Sequence, residues 1–207
     1  MKTITKELQK KITPADALKL LKQGNQRFIQ NLRLNRNLLQ QVNETAEGQY
    51  PFATILSCID SRTPAELIFD QGLGDIFSIR IAGNIINDDI IGSMEFACEI
   101  AGSKLIMVLG HTNCGAVKGA CNHAQLGHLT ALLEKIKPAI EQENTIIKDR
   151  DGNNSEFVNE VAKRNVQIAM SSIPAKSSII KKLVESSAVA IVGGLYDVST
   201  GEVTFFQ

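Results

Sequence analysis

The chain has 207 residues, of which 43% are hydrophobic, and it carries 22 basic and 22 acidic side chains. That balance excludes an electrostatic partnership with nucleic acid or an anionic membrane and favours a single globular domain over residues 1–207. Four cysteines in a chain this long are too few for a disulfide framework and suit a reducing, cytoplasmic setting.

The polar, lysine-containing stretch from Met1 to Thr13 has no apolar run of the kind a secretory signal needs. Thr13-Pro14-Ala15-Asp16 reads as an N-cap with proline at the first helical position, and Ala17, Leu18, Leu20, Leu21 and Phe28 recur at helical spacing to about Gln30. Residues 31–50 are polar without a clear period and are expected to form a connecting arm. A short buried strand, Phe52–Leu56, ends at Cys58; Thr63-Pro64 opens a helix over Ala65–Phe69, and Ile76–Ile81 is a second strand. A helix from Asp88 or Asp89 to Ile100 precedes a third strand, Lys104–Leu109, which ends at Gly110-His111. Apolar runs such as Leu105–Leu109 are far too short to span a bilayer. Gly115–Ala120 begins a helix, Leu126–Ile140 continues helical, and 149–154 is an exposed loop. Ser155–Met170 and Pro174–Ser186 read as two further helices, followed by strands Ala188–Tyr196 and Glu202–Phe206 around the turn Ser199-Thr200-Gly201.

Strands alternating with helices predict an α/β fold: a mostly parallel central sheet, order 2-1-3-4 with an antiparallel edge strand, flanked by helices and preceded by an N-terminal helical arm. In such sheets ligands sit beyond the carboxyl ends of the strands, where strand order reverses. The ends of the first and third strands, carrying Cys58 and His111, are then expected to share one crevice.

Two segments placed at those ends carry the chemistry: Cys58-Ile59-Asp60-Ser61-Arg62 and His111-Thr112-Asn113-Cys114-Gly115. Two thiolates and one imidazole form a three-donor set that selects zinc over magnesium or calcium. Three protein ligands leave a fourth position for water, as in catalytic zinc sites. Any one of these residues alone reads as ordinary core, but the three together at strand ends do not.

The segments resemble the zinc signature of the β-class carbonic anhydrases, C-x-D-x-R followed by H-x-x-C-G. The resemblance extends to Arg80-Ile81-Ala82-Gly83-Asn84 and Gly194-Leu195-Tyr196-Asp197-Val198. It implies one zinc ion per subunit on Cys58, His111 and Cys114. The activity implied is reversible hydration of carbon dioxide to bicarbonate and a proton by a zinc-bound hydroxide. Two thiolates already neutralise the dication, so activity should rise towards alkaline pH. Asp60 is expected to accept a hydrogen bond from the nucleophile while Arg62 holds its carboxylate ionised; in a closed state Asp60 is instead a fourth metal ligand. The resemblance also implies substrate contacts from Gln49, across a dimer interface, and from Phe77 and Ala82 in an apolar pocket, and Gly115 could bring its backbone N–H close. A homodimer is the minimum assembly expected, with a homotetramer as the larger form and residues 1–50 packing on the partner subunit.

Arg80 and Tyr196 match two members of a bicarbonate-regulatory site, but the chain has no tryptophan and places Ile55 where the indole would be, so that regulation is not expected. His123 and His128 are candidate proton relays, though exposed helix or loop positions account for them better, and Cys98 and Cys121 read as buried thiols. Two rival functions are a carbonyl sulfide or carbon disulfide hydrolase on the same scaffold and a non-catalytic zinc-stabilised binding protein.

Overall fold

A computed structural model of the chain describes residues 3–206; Met1 and Lys2 of the polar N-terminal stretch, and Gln207, lie outside them. In chain order the elements are α1 (Lys6–Lys11), α2 (Pro14–Ile29), α3 (Leu38–Thr45), β1 (Ala53–Ser57), α4 (Ala65–Ile68), β2 (Ile76–Arg80), α5 (Asp88–Glu95), β3 (Leu105–His111), α6 (Gly115–Cys121), α7 (Gly127–Leu133), α8 (Lys137–Gln142), α9 (Ser155–Lys176), α10 (Ser178–Glu185), β4 (Ala190–Tyr196) and β5 (Val203–Phe206). The sheet runs β2-β1-β3-β4-β5. All neighbours are parallel except β4 and β5, which are antiparallel. This is the predicted order with the predicted antiparallel edge.

Period-2 alternation decides what covers each face. Ala53 and Ile55 of β1 and Leu105, Met107 and Leu109 of β3 pack with Ala17 and Leu21 of α2 and with Ile68 of α4. The intervening residues Leu56, Ile106 and Val108 face Ile90 and Met94 of α5, Val166, Ala169 and Ile173 of α9, and Ile180 of α10. A third cluster, beyond the carboxyl ends of the strands, gathers Cys58, Cys114, Val117, Leu133, Ile136, Phe157 and Val161. The ligand crevice is thus roofed by its own apolar packing.

Helix α2 starts as the sequence predicts: the Thr13 side chain accepts from the Asp16 N–H while Asp16 reaches back to the Thr13 N–H, a capping box with Pro14 next in line. It is folded onto its own sheet, with Ala17 and Leu21 fully buried. Most of the exposed apolar side chains of the N-terminal region lie in the following arm, at Leu32, Leu38, Leu39 and Val42, with Leu8 of α1 exposed as well.

Several boundaries differ from expectation. The arm is not wholly irregular: α3 forms inside it, started by the Asn37 side chain accepting from the Gln40 N–H. A short α1 forms similarly on a Thr5 cap. Both are short helices in polar sequence, where capping rather than an apolar stripe sets the start. Leu126–Ile140 is broken into α7, a tight 3₁₀ turn over Glu134–Ile136, and α8. The predicted break at Pro174 moves to Ser177: α9 runs through the proline to Lys176, and Ser177 caps α10 by accepting from the Ile180 N–H. Proline so near a helix end removes only one late hydrogen bond.

Candidate metal centre

Strand β1 lies between β2 and β3, so connections leave it in one direction and β3 in the other. The crevice between the tips of β1 and β3 is therefore the switch point where such sheets bind ligands. Cys58 directly follows β1, His111 is the last residue of β3, and Cys114 immediately precedes α6. All three are buried, and one ligand atom from each lies within 4.8 Å of the others. The two sulfurs are 3.9 Å apart.

The turn between His111 and Cys114 is tight because Asn113 adopts φ +54°, a left-handed conformation that asparagine tolerates better than most residues. Its N–H donates to Asn159 Oδ1 at 2.9 Å. His111 Nδ1 lies 2.9 Å from the Thr112 carbonyl oxygen. A carbonyl can only accept, so Nδ1 is the donor, which in the neutral ring leaves the lone pair on Nε2, the atom facing the sulfurs. That Nε2 is buried without a hydrogen-bond partner among the described residues. A buried acceptor left unmatched, beside two sulfurs, is the mark of a cation site.

Ionisation of the thiols agrees. Cys58 is drawn well below its ordinary range, first by its hydrogen bond with Cys114 and also by the backbone of Asp60 and Gly83, against the opposing effect of burial. Cys114 is pushed up, first by that same contact with Cys58, then by burial and by the negative charge of Cys58. Two sulfurs this close disfavour a double negative charge, which a bound cation would relieve. Two soft sulfur donors and one imidazole fit zinc, and they do not fit magnesium or calcium.

Asp60 stands at the edge of this cluster, its Oδ2 4.0 Å from His111 Nε2. Arg62 grips it bidentately, Nε to Oδ1 at 2.9 Å and Nη2 to Oδ2 at 2.8 Å, and the Arg62 N–H adds a third bond to Oδ1 at 3.0 Å. The guanidinium beside it holds the Asp60 carboxyl well below the usual carboxylate range, against the opposing effect of burial. The loop that presents Cys58 and Asp60 is fastened twice more. Arg80 Nε donates to the Cys58 carbonyl at 3.0 Å and its Nη2 to the Asp60 carbonyl at 2.6 Å. The Thr63 hydroxyl serves the same two carbonyls, at 3.1 and 2.9 Å respectively. Arg80 is thus engaged with the ligand loop, while Tyr196, buried and paired in register with His111, sits on the neighbouring strand.

The remaining residues singled out from sequence are more scattered. Ala82 is half-buried in the turn Ala82–Asn84, next to Gly83, and Gly115 is the exposed first residue of α6. Phe77 pairs with Thr54, three places before the Ser57–Arg80 pair at the strand tips, and stacks edge-on against Phe96 at 6.2 Å. Within one chain it is therefore set back from the cluster by about 10 Å of strand. Gln49 is exposed just before β1, and His123 and His128 are exposed beyond α6. Cys98 and Cys121 are buried thiols, raised by burial to about 12 and about 11.

Asn159, Asn165 and Thr63 were not legible as site residues. Asn165 had one readable signal: it interrupts the buried stripe of α9 formed by Phe157, Val161, Ala162, Val166 and Ala169.

Comparison with known proteins places the chain among enzymes of one kind. A family profile described as carbonic anhydrase matches residues 53–203. Carbonic anhydrase 2 of Mycobacterium tuberculosis is 37% identical over 196 residues, covering 91% of this chain and 90% of the relative. A carbonic anhydrase of Mycolicibacterium smegmatis is 34% identical, covering 92% of each. Among solved structures, the β-carbonic anhydrase CafA of Aspergillus fumigatus superposes with a TM-score of 0.73 at 27% identity, covering 82% of this chain and 81% of that one.

Proposed function

The chain belongs to the β-class carbonic anhydrase family, enzymes that interconvert carbon dioxide and bicarbonate, and from that premise we propose that it carries out this reaction at zinc held by Cys58, His111 and Cys114. The observation that supports the zinc assignment most strongly is the convergence of the two sulfurs and the unpartnered His111 Nε2 within 4.8 Å. Bound zinc supplies Lewis acidity, lowering the pKa of water so that a nucleophile is available near neutral pH.

The chain's own residues do the rest. Asp60, kept ionised by Arg62, is an acceptor at Oδ2 for the proton of the attacking water, orienting the oxygen lone pair towards carbon dioxide. An acceptor fixed by a two-bond guanidinium fork needs no reorganisation during the reaction. The backbone clamps from Arg80 and Thr63 keep that carboxylate in register with Cys58. Release of Asp60 from Arg62 would free it to become a fourth ligand, and Arg62 thereby guards the open position. Apolar walls around the crevice, including Ile85 and Val117, suit a small uncharged gas.

Gln49, Phe77, Ala82 and Gly115 belong to the proposed substrate side. Because Gln49 is exposed and Phe77 lies on the edge strand β2, a second copy of the chain seated on that edge would complete the pocket. Exposed Leu32, Leu38, Leu39 and Val42 of the arm, with Phe96 and Ile100 beside β2, support a homodimer. Two thiolate ligands must remain reduced, which suits the cytoplasm. Among the described residues no helix is long and apolar enough to cross a membrane.

The test is zinc content measured alongside stopped-flow carbon dioxide hydration at pH 8.5, for wild type and Cys114→Ala. One zinc per chain with hydration well above buffer in wild type, and loss of both in the variant, is expected. A zinc-replete wild type with no hydration above buffer would reject the reading; carbonyl sulfide hydrolysis in the same preparation would then point to the rival enzyme.

A further inference from the structure

One hydrogen bond at the centre comes from the backbone: the Gly83 N–H donates to Cys58 Sγ at 3.3 Å. That donor exists in this position only because Gly83 adopts φ +65°, within the turn after β2. The conformation strains any side chain, and a Cβ there would lie 2.7 Å from Ile136 Cδ1, the movable tip of its side chain, and 3.3 Å from Ala116 Cβ. A left-handed glycine has little preference of its own for this conformation over others. Something must hold it.

Two contacts hold it: the Asn84 N–H closes the turn onto the Ile81 carbonyl at 2.9 Å, and the other comes from Asn165. Its Nδ2 donates to the Gly83 carbonyl at 2.8 Å, and the side chain is buried on the inner stripe of α9. Holding the Gly83 carbonyl anchors the residue on the far side of its Cα, and with it the left-handed turn that presents the N–H. The helix itself is rigidly placed. It approaches β3 closely at Gly110, the residue before His111, where a Cβ would meet Val166 Cγ2 at 2.7 Å. Phe157, Val161, Val166 and Ile173 of the same helix are fully buried. Six residues earlier on α9, Asn159 accepts from the Asn113 N–H in the turn that carries Cys114. One helix is therefore the common reference for the loops on both sides of the two sulfurs.

We propose that Asn165 is a positioning residue of the metal centre, locking Gly83 so that its N–H points at the Cys58 sulfur. The proposal rests on Cys58 being a ligand. An N–H bond to a coordinating thiolate withdraws charge from the sulfur and orients it, and outer-shell partners of this kind are worth about 10–100-fold in metal affinity. Apolar replacement leaves the buried Gly83 carbonyl without its donor and frees the turn.

The experiment compares wild type, Asn165→Leu and Asn165→Ser by zinc competition against a chromophoric chelator at fixed pH, and by the thiolate-to-cobalt charge-transfer band of the cobalt-loaded proteins. Both variants are expected to bind zinc about tenfold or more weakly and to shift that band. A purely structural asparagine would lower the thermal midpoint of the metal-free protein and leave the band where it is, and that result would overturn the proposal. A second measurement needs no variant. In wild type loaded with a spin-half cadmium isotope, a metal–proton correlation through the Cys58 sulfur to the Gly83 amide is expected, and its absence would equally overturn the proposal. If wild type binds no metal, or if Cys58→Ala keeps full stoichiometry and affinity, it is the ligand assignment that fails; tight wild-type binding unchanged in both Asn165 variants defeats the positioning role alone.

Discussion

Asp70 offers a prediction whose size follows from its surroundings. Its carboxylate is fully buried at the end of the α4 segment, and it accepts from Arg27 Nε of α2, from Arg36 Nη1 of the arm, and from the Leu34 N–H at 3.3 Å. Arg36 is itself nearly buried, so removing the negative charge strands a guanidinium in the interior. Asp70→Asn preserves shape and tolerates the φ of +45° found there, isolating the charge from any backbone effect. Breaking a buried ion pair from one side destabilises by about 3–5 kcal/mol. For a chain of 207 residues that corresponds to a thermal midpoint about 6–20 °C lower. Burial pushes the Asp70 pKa up, but the hydrogen bonds from Arg27 and Arg36 outweigh it and hold the folded value below the ordinary one. A depressed folded pKa contributes stability that is complete above the unfolded carboxylate pKa of about 3.9 and is lost as pH falls through the folded value. The gap between wild type and variant, read from urea unfolding, should therefore be full at pH 7 and shrink progressively below about pH 4. A gap under about 1 kcal/mol at pH 7, smaller than the buried-pair range, or one that stays constant down to pH 3, would refute the reasoning.

Three further outcomes are expected. Arg62→Lys keeps the charge but loses the two-bond fork on Asp60, so carbon dioxide hydration should fall about tenfold or more in kcat/KM with zinc content unchanged; activity within twofold of wild type in a stopped-flow assay contradicts the role given to the fork. Gly110→Ala forces a methyl against the stiff Val166 side chain, with a contact of 2.7 Å to relieve. Its unfolding free energy should drop by about 1–3 kcal/mol, and equal stability in urea would show that α9 is free to shift. Metal-loaded native protein should resist alkylation at all four cysteines at neutral pH, because Cys98 and Cys121 are protonated and buried while Cys58 and Cys114 are buried in the metal centre. Rapid labelling of any of them, counted by mass spectrometry, runs against that picture.

The strands and their order were legible because parallel strands buried on both faces read as apolar runs, as in Leu105–Leu109, and because Cys58 and His111 fell at the ends of two such runs. The ligand set needed only residue type and placement. Short helices such as α1 and α3 were not legible, since Thr5 and Asn37 start them by single side-chain caps and no buried stripe continues them. The supports of the site were invisible for a different reason. Arg80 acts on the carbonyls of Cys58 and Asp60, Thr63 on the same two, and Asn165 on Gly83. Their partners are backbone groups, which leave no mark on residue type: Arg80 stood out only through the resembling segment it opens, and Asn165 only by being out of place in an apolar stripe.

The most direct test of the central claim is X-ray absorption at the zinc edge of the purified protein near neutral pH. Cys58, Cys114 and His111 as the protein donors predict two sulfur scatterers at about 2.3 Å and two lighter nitrogen or oxygen scatterers at about 2.0 Å, for one zinc per chain. A shell of four sulfurs, or one of nitrogen and oxygen alone, would contradict it.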